Sequence, residues 1–487
     1  MNVERAILAN GESVEYSADD PMSGAMKDVY FTTDRRSVVC FYKSQDPNRA
    51  AARRQRLEAI LGRCNPTLEE ARGGQAANEA EAAYYRELFC WPTTIVVRPR
   101  LGFLAPRYPD RFIFKDGFSG EPKEAIRFFG AKNRRFLERR APDELGKWPG
   151  CFWACLSLAS AARRLHMLGL AHSDLSPNNV LIDPLSGRAL VLDVDSLVVP
   201  GIFSADVLGT SGYMAPEIVS TQYLSSQDPK RQWPNIRTDR HSLAVLIHQL
   251  LLRRHPLQGQ RKFDALPPEE EDSRTYGAQA VYSEHPDDSS NRPNAPYTPS
   301  SVLGSRLNGL FRRAFVEGLH TPDKRPSAAE WEQALLETID LLQPCSVASC
   351  ATGWLAVEPS KPLGSSCLDC KTRLAKTPMF LRLRKKSREG HWLADRDMVV
   401  RDGLTLHDWH AYSDRFPGAA SNPAPLARVE NVNGRWLLRN LGLSTLWTLE
   451  GNRVPIQGQI ELKENLLFAF SADPATRVAE ARRGPIV

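Results

Sequence analysis

The chain has 487 residues, a formal net charge of +6, 42% apolar residues and 25% charged residues. This length suffices for two or three domains, and the composition is typical of a globular protein with a large core. The mild, scattered positive charge argues against nucleic acid as the main partner. Because no apolar run approaches the ~20 residues that cross a bilayer and the first residues lack a secretory signal, we expect a cytoplasmic protein that does not bind membranes.

The first part of the chain predicts a small strand-rich lobe. Residues 29–33 and 38–42 are rich in strand-forming side chains and are joined by an Asp-Arg-Arg turn at 34–36. Two such runs around a short polar turn are typical of a β-hairpin. Apolar residues at helical spacing then predict a helix over 53–61.

The middle of the chain predicts a larger, mainly helical lobe. An apolar helix stops at Gly169, because glycine commonly ends helices. A polar, proline-rich stretch at 258–301 indicates an insertion or a long loop. The predicted elements are the helix 153–168, the strands 179–182 and 189–192, and the helices 241–255 and 305–319.

Two segments carry residue types suited to phosphoryl transfer. HSDLSPNN occupies residues 172–179 on a loop between a helix and a strand, and Asp193-Val194-Asp195 follows an apolar strand. In such a site an Asp orients the attacking hydroxyl and accepts its proton, while an Asn and a second Asp hold Mg²⁺ on the phosphates. We therefore predict Asp174 as the catalytic base, and Asn179 and Asp193 as magnesium ligands.

These segments, with MAPE at 214–217 and DKRP at 323–326, resemble the protein-kinase superfamily over about residues 10–342. The resemblance implies a two-lobed α+β fold that binds ATP and Mg²⁺ and phosphorylates serine or threonine in proteins. It also implies a buried ion pair between Glu217 and Arg325, and a brace from Asp239 to the catalytic loop. A small-molecule kinase shares that loop, but Ala-Pro-Glu at the end of the segment favours protein substrates.

The phrases GLAHSDLS, DVDSLVVPG and TDRHSLAVLIHQLLLRRHPL further resemble bacterial kinases associated with tellurite resistance. Those kinases are encoded beside a type-2C protein phosphatase and a von Willebrand-type domain protein, which the resemblance implies as partners. The alternative function is a nucleotide-binding pseudokinase scaffold that assembles these partners without turnover.

The glycine-rich loop of the protein-kinase superfamily is only partly present in this sequence. Of the three glycines expected before Val29 only Gly24 remains, with Met22 and Lys27 at the other two places. The backbone is therefore less free to approach phosphates, and the charge of Lys27 offers partial compensation. Asp195 replaces the glycine of the magnesium-binding triplet and is expected to stiffen that segment.

The lysine that grips the α- and β-phosphates is expected on the following strand. Lys43 lies 14 residues after Val29, close to the usual interval, although the local pattern also allows Cys40 at that position. We predict Lys43. On the next helix Glu58 is either its ion-pair partner or an exposed helix residue.

Ser173 stands where many kinases carry an arginine that binds a phosphate on the activation segment. Without that cation a new phosphate has no partner there. We therefore expect activity that does not depend on phosphorylation, so that alanine substitutions leave turnover within a few-fold. The sites concerned are Ser196, Ser204, Thr210 and Ser211.

Four late cysteines form two close pairs, Cys345 with Cys350 and Cys367 with Cys370. Two thiolate pairs at such spacings are typical of a tetrahedral structural zinc site.

The residues after the cysteine cluster weakly resemble a degenerate forkhead-associated β-sandwich, with Arg396 and Ser413 as conceivable phosphothreonine contacts. A docking module without phosphate recognition is the preferred interpretation. The predicted domains are a kinase N-lobe at 1–104, a C-lobe at 105–342 with the insertion 258–301, a zinc knuckle at 343–376 and a β-rich tail at 377–487.

Overall fold

The computed structural model describes residues 2–486 apart from 20, 45, 70–77, 116–121, 125–145, 200–201, 204, 264–265, 420 and 474. The chain forms two compact units. The first comprises Met1–Gly146, Gly150–Tyr297 and Leu310–Glu332, and the second comprises Lys147–Pro149, Thr298–Gly309 and Gln333–Val487. Across the described ranges, no helix combines the length and apolar character that a membrane span requires.

An antiparallel sheet of seven strands opens the first unit. Its strands are β1 (Val3–Leu8), β2 (Ser13–Ser17), β3 (Met22–Ser23), β4 (Lys27–Phe31), β5 (Ser37–Tyr42), β6 (Thr94–Arg98) and β7 (Gly102–Pro106). Their order is β2-β1-β6-β7-β5-β4-β3. The predicted hairpin is β4 and β5, and its turn is held by Asp34, which accepts bonds from the Thr32 hydroxyl at 2.6 Å and the Arg36 amide at 3.0 Å.

Strand β5 buries both of its faces, since alternate side chains point to opposite sides of a strand. Val39 and Phe41 pack with Tyr16 on one side. Cys40 and Tyr42 pack on the other side with residues of the helix α1 (Pro47–Leu61). A second helix, α2 (Glu79–Leu88), precedes β6.

Helices dominate residues 146–340. The catalytic-loop motif lies between a long helix, which ends at Met167 and is followed by Gly169 with φ of 74°, and a two-stranded ladder. The segment 258–301, which the sequence predicts to be an insertion or a long loop, contains a helix of nine residues. Two short strands, β8 (Ile113–Lys115) and β9 (Pro122–Glu124), precede this region. Its elements are α3 (Trp148–Met167), β10 (Val180–Asp183), β11 (Arg188–Val191), α4 (Pro216–Thr221), α5 (Ile236–Leu252), α6 (Pro268–Tyr276), α7 (Ser305–Arg312) and α8 (Ala328–Asp340).

The ion pair expected between Glu217 and Arg325 is confirmed. The Arg325 guanidinium is fully buried, and its two terminal nitrogens donate to the two Glu217 oxygens at 2.8 and 2.7 Å. The same guanidinium also donates to the carbonyls of Gly318 and Leu319. Because all of these bonds meet at one side chain, Arg325 fixes the start of α4 against the segment that precedes α8.

In the second unit two larger sheets pack around one core, and two further strands form a small separate sheet. The strands are β12 (Leu342–Pro344), β13 (Trp354–Ala356), β14 (Met379–Lys386), β15 (Trp392–Val399), β16 (Thr405–Leu406), β17 (Ala427–Val432), β18 (Arg435–Asn440), β19 (Leu446–Thr448), β20 (Arg453–Val454), β21 (Gln459–Glu461), β22 (Leu467–Ala469) and β23 (Val478–Arg483), with a short helix α9 (Asp408–Ala411). One sheet has the order β15-β14-β23-β22-β19-β20 and the other β16-β17-β18-β21. Leu381 and Phe468 of the first sheet share a core with Val429 and Leu438 of the second, so the β-rich tail is a sandwich.

We predict that Arg325→Leu lowers the free energy of unfolding by about 3–5 kcal/mol, because it leaves the Glu217 carboxylate without its buried partner. Urea denaturation measures the change. The matched control is Arg5→Leu, which breaks an exposed ion pair with Glu15 and is expected to cost about 0–1 kcal/mol. Equal losses in the two variants would contradict the structural role of Arg325.

Candidate functional site

The loop that carries Asp174 is fixed by a carboxylate on α5. The backbone amides of His172 and Ser173 donate to Asp239 at 2.6 and 3.1 Å, and His166 of α3 lies 3.3 Å from the same carboxylate. Ser173 holds a left-handed backbone with φ of 68°, a conformation that a non-glycine residue keeps only when its surroundings fix it. Asp239 is thus the brace that the kinase resemblance implied.

Asp174 receives two hydrogen bonds that fix its carboxylate. The Asn179 amide donates to its Oδ2 at 2.9 Å and also to its backbone carbonyl at 2.8 Å. The Thr210 hydroxyl donates to Oδ1 at 2.8 Å and lies 3.2 Å from the Ser176 hydroxyl. A carboxylate held at both oxygens is oriented before any substrate arrives, which a positioned base requires.

The ladder of β10 and β11 brings Asn179 and Asp193 together. Val180 pairs with Val191, and the Leu192 amide donates to the Asn179 carbonyl at 2.9 Å, so Asp193 follows directly beside Asn179. Both hydrogen bonds of the Asn179 side chain are donated by its nitrogen, and its amide oxygen accepts none from the described residues. A free amide oxygen beside a half-exposed carboxylate is a donor set that suits Mg²⁺.

A cavity of about 360 Å³ lies between the sheet and these segments. Its walls come from the β3–β4 turn, from β5 and β7, and from the residues that follow β11. Gly24, Val29 and Cys40 line it on the sheet side, and Asp193 and Asp195 line it on the other. A Cβ at Gly24 would meet only the Lys27 carbonyl, at 3.6 Å, so the turn itself does not demand glycine there.

Lys27 crosses from β4 to this second wall. Its ammonium donates to Asp195 at 2.6 Å and to Asp193 at 3.2 Å, and it lies 5.3 Å from the centre of the Phe103 ring. Burial by itself would lower the pKa of Lys27, but the charges of Asp195 and Asp193 outweigh burial and raise it above its usual value. The lysine therefore stays charged beside the two carboxylates that line the cavity.

The predicted pair of Lys43 and Glu58 is not formed. Lys43 lies 3.6 Å from Asp28 with 40% of its side chain exposed, and Glu58 pairs with Arg54, one turn away on α1. The reason is the alternation of β5: an odd-numbered residue just after the strand continues the side of Val39 and Phe41, whereas Cys40 faces the cavity. Lys43 thus directly follows β5 on the side of Val39 and Phe41, and its part in phosphate binding stays a prediction.

The thiols of Cys40 and Cys90, which line the cavity, are not activated as nucleophiles. Burial is the main cause that raises the pKa of Cys40 far above its usual value. Burial likewise raises the pKa of Cys90, to about 12. Because the thiolate is the reactive form of cysteine, both residues are expected to act as apolar wall.

Sequence reasoning missed the contact role of three residues. The sequence predicts Lys27 only as a partial substitute for glycine and Asp195 only as a stiffening residue, and it predicts no contact role for Tyr42. A signal for Lys27 was present, because Lys27 and Val29 lie two residues apart and so share one face of β4. No comparable local pattern marks Asp195 or Tyr42, which depend on a contact across the cavity.

The contact from Thr210 to Asp174 also changes one expectation about phosphorylation. Alanine at Thr210 removes a hydrogen bond from the proposed catalytic carboxylate, so this variant is no longer expected to leave turnover unchanged. Ser211 contacts Asp272 on α6. Ser204 lies outside the described residues.

The four late cysteines converge as predicted. Their sulfur atoms all lie within 4.8 Å of one another, and the closest pairs are Cys345–Cys370 at 3.5 Å and Cys350–Cys367 at 3.4 Å. These separations exceed the ~2.05 Å of a disulfide bond. Four free thiols around one point form a donor set that fits a tetrahedral zinc ion.

The two candidate phosphothreonine contacts of the tail differ in burial. Arg396 is buried and donates to Asp340 at 3.2 Å, and His410 lies 3.1 Å from the other oxygen of that carboxylate. Ser413 is exposed. Because Arg396 is already committed to a buried carboxylate, it has a structural role within the second unit.

Comparison with known proteins shows that residues 152–330 match the family described as the protein kinase domain. The serine/threonine-protein kinase WNG2 of Toxoplasma gondii is 39% identical over 19% of this chain and 16% of its own length. The serine/threonine-protein kinase PknG of Mycolicibacterium smegmatis is 29% identical over 34% of this chain and 20% of its own length. The chain thus spans a fifth or less of the length of these curated relatives. The solved rhoptry antigen kinase domain of Toxoplasma gondii matches 69% of this chain and 86% of its own, with 13% identity and a TM-score of 0.41.

Proposed function

We propose that this chain is an ATP- and Mg²⁺-dependent protein serine/threonine kinase. The observation that carries the proposal is that the Asn179–Asp174 pair and the Lys27–Asp193 pair are brought together by the backbone bond from Leu192 to Asn179, beside a cavity that Asp193 lines. A base, two oxygen donors for a metal and a buried cation are the parts that phosphoryl transfer needs. Protein kinases related to residues 152–330 support the same reaction.

In this proposal Asp174 orients the hydroxyl of the substrate and accepts its proton. Thr210 and Asn179 keep its carboxylate in place. Mg²⁺ bound by Asn179 and Asp193 supplies positive charge to the phosphoryl oxygens. Most of the rate enhancement then comes from positioning and from fixed charges rather than from covalent chemistry.

Lys27, rather than Lys43, is proposed as the residue that binds the α- and β-phosphates. Lys27 is the charged residue of the sheet that reaches Asp193 and Asp195, whereas Lys43 is half-exposed beside Asp28. A buried ammonium in a low-dielectric wall attracts a phosphate more strongly than an exposed one does. The expected phosphate clamp therefore comes from the strand next to the one where sequence spacing put it.

The rival proposal is a nucleotide-binding scaffold without turnover. The incomplete glycine-rich loop favours it, because phosphates are less closely held. The hydrogen bonds that fix both oxygens of Asp174 favour the enzyme, since a scaffold has no need for an oriented base. We therefore propose catalysis.

We further infer that the cysteine cluster holds one structural zinc ion. Four protein ligands leave no open position for a catalytic water. The cysteine segment packs Leu355 and Val357 against Phe380, Val399 and Ile486 of the same unit. Zinc would thus join this short segment to the sandwich.

The sandwich is proposed as a docking module that does not read phosphate, because Arg396 is bound to Asp340. From the resemblance of the catalytic-loop phrases, the proposed partners are a type-2C protein phosphatase and a von Willebrand-type domain protein. The proposed setting is a bacterial stress response of the tellurite-resistance type.

We predict that Asp174→Asn lowers phosphate transfer to a protein substrate by at least about a hundred-fold, because the general base is lost. The affinity for MgATP is expected to stay within a few-fold, since Asp174 does not hold the nucleotide. Labelled ATP measures transfer, and calorimetric titration measures binding. Asp193→Asn is the comparison and should weaken both, whereas full transfer by Asp174→Asn would reject the assigned role.

We predict one zinc per chain by elemental analysis, bound by four sulfur ligands at ~2.3 Å in X-ray absorption. Cys367→Ser combined with Cys370→Ser should release the metal and increase proteolysis within the second unit, because a structural zinc contributes on the order of 10 kcal/mol. Cys64→Ser is the control, since Cys64 lies outside the cluster. A metal-free native protein with unchanged proteolysis in the double variant would refute the zinc site.

A further inference from the structure

We propose that Asp195 is a positioning residue of the phosphate clamp, which holds Lys27 beside the nucleotide as its permanent partner, so that Mg²⁺ can displace Lys27 from the magnesium ligand Asp193. The proposal rests on the proposed function, in which a nucleotide occupies the cavity lined by Asp193 and Asp195. It assigns a task to the position where the kinase resemblance would place a glycine.

Both carboxylate oxygens of Asp195 accept hydrogen bonds from side chains of the seven-stranded sheet. Lys27 donates to Oδ1 at 2.6 Å and the Tyr42 hydroxyl donates to Oδ2 at 2.9 Å. Lys27 and Tyr42 are direct register partners on β4 and β5, so the two donors stand side by side on neighbouring strands. A carboxylate held at both oxygens from one rigid surface has little freedom to move, and neither has the lysine that it binds.

The two carboxylates around Lys27 differ in exposure. Asp195 is 3% exposed, whereas Asp193 is 51% exposed and lies at the longer distance of 3.2 Å. Because the Asp193 side chain is partly solvated, its carboxylate can release the Lys27 ammonium and bind a metal ion instead. Asp195 cannot be uncovered without breaking the cavity wall, so it is the permanent partner.

Tyr42 is in turn covered by α1. The Arg53 guanidinium lies 4.6 Å from the centre of the Tyr42 ring, and Arg53 is itself buried. The hydroxyl of Tyr42 therefore has a fixed direction toward Asp195. The clamp is assembled from the sheet and from the segment after β11, and Glu58 of α1 takes no part in it.

The loss of Asp195 has a specific consequence. Lys27 would keep Asp193 as its partner, because a buried ammonium retains a carboxylate when it can. Lys27 and Mg²⁺ would then compete for Asp193. A purely structural role for Asp195 predicts lower stability but no such competition.

The experiment measures binding of adenylyl imidodiphosphate, a non-hydrolysable ATP analogue, to the full chain by calorimetric titration at several Mg²⁺ concentrations. Asp195→Asn is expected to weaken binding about tenfold and to raise the Mg²⁺ concentration for half-maximal binding about tenfold, a size typical of coupled neighbours. Tyr42→Phe should shift both in the same direction by about two- to fivefold, since it removes one hydrogen bond and no charge. The matched control is Asp183→Asn, a buried carboxylate that caps the β10–β11 turn through the Leu185 amide and should change neither value.

The same titration in a Lys27→Met variant distinguishes a positioning role of Asp195 from a general loss of structure. In Lys27→Met the competing cation is gone, so adding Asp195→Asn should change the Mg²⁺ requirement less than twofold, as expected when one residue acts through the other. A full tenfold effect in that background would overturn the proposal, and so would wild-type behaviour of Asp195→Asn. If Asp195→Asn does not fold, Tyr42→Phe decides, and wild-type values for it would overturn the proposal.

Failure of this inference and failure of the proposed function give different results. A chain that binds the analogue with the predicted Asp195 and Lys27 effects but transfers no phosphate supports the clamp and rejects the kinase. A chain that transfers phosphate while Asp195→Asn keeps its Mg²⁺ requirement supports the kinase and rejects the clamp. A wild-type chain that does not bind the analogue overturns both.

Discussion

The buried ion pair between Lys27 and Asp195 sets the geometry of the cleft. A buried ammonium is costly unless a carboxylate stays close to it, and here that carboxylate lies on the segment after β11 while the lysine lies on the sheet. The pair therefore joins the two walls of the cavity. The position of Asp193 follows from it, because Asp193 is two residues from Asp195 and contacts the same ammonium.

The helix α1 contacts the rest of the first unit through its arginines, and Glu58 is the exposed helix residue that the sequence allowed as an alternative. The buried face of α1 presents arginines. Arg56 donates at 2.6 Å to Asp206, in the segment 193–217 that the kinase resemblance identifies as the activation segment, while Arg53 covers Tyr42. Glu58 lies on the exposed face. The helix is thus joined to the activation segment by a direct charge pair, and to the phosphate clamp only through the ring of Tyr42.

The sequence was informative wherever a function depends on residues close together in the chain. Asp174 and Asn179 are five residues apart on one loop, and the four cysteines fall in two short pairs, so spacing alone predicted both clusters. The hairpin of β4 and β5 followed from its alternating pattern and its turn. These groups are fixed by local backbone geometry, which residue types and intervals reveal.

The residues that could not be predicted depend on contacts across the fold. Counting from Val29 predicts Lys43, but an interval does not determine which face of a strand a side chain occupies, because the face alternates at each residue. Asp195 gains its role from Lys27, which lies 168 residues earlier. Arg396 was considered for phosphate recognition because of its charge, but its buried partner Asp340 lies on α8, 56 residues away in sequence. Long-range pairings of this kind leave no local pattern.

The account depends most on which lysine meets the phosphates. An acyl phosphate derivative of ATP transfers its acyl group to an amine beside the bound phosphates, and peptide mass spectrometry then identifies the modified lysine. The account predicts modification of Lys27, suppressed by excess ATP. Modification of Lys43, with Lys27 untouched and the same suppression by ATP, would contradict it.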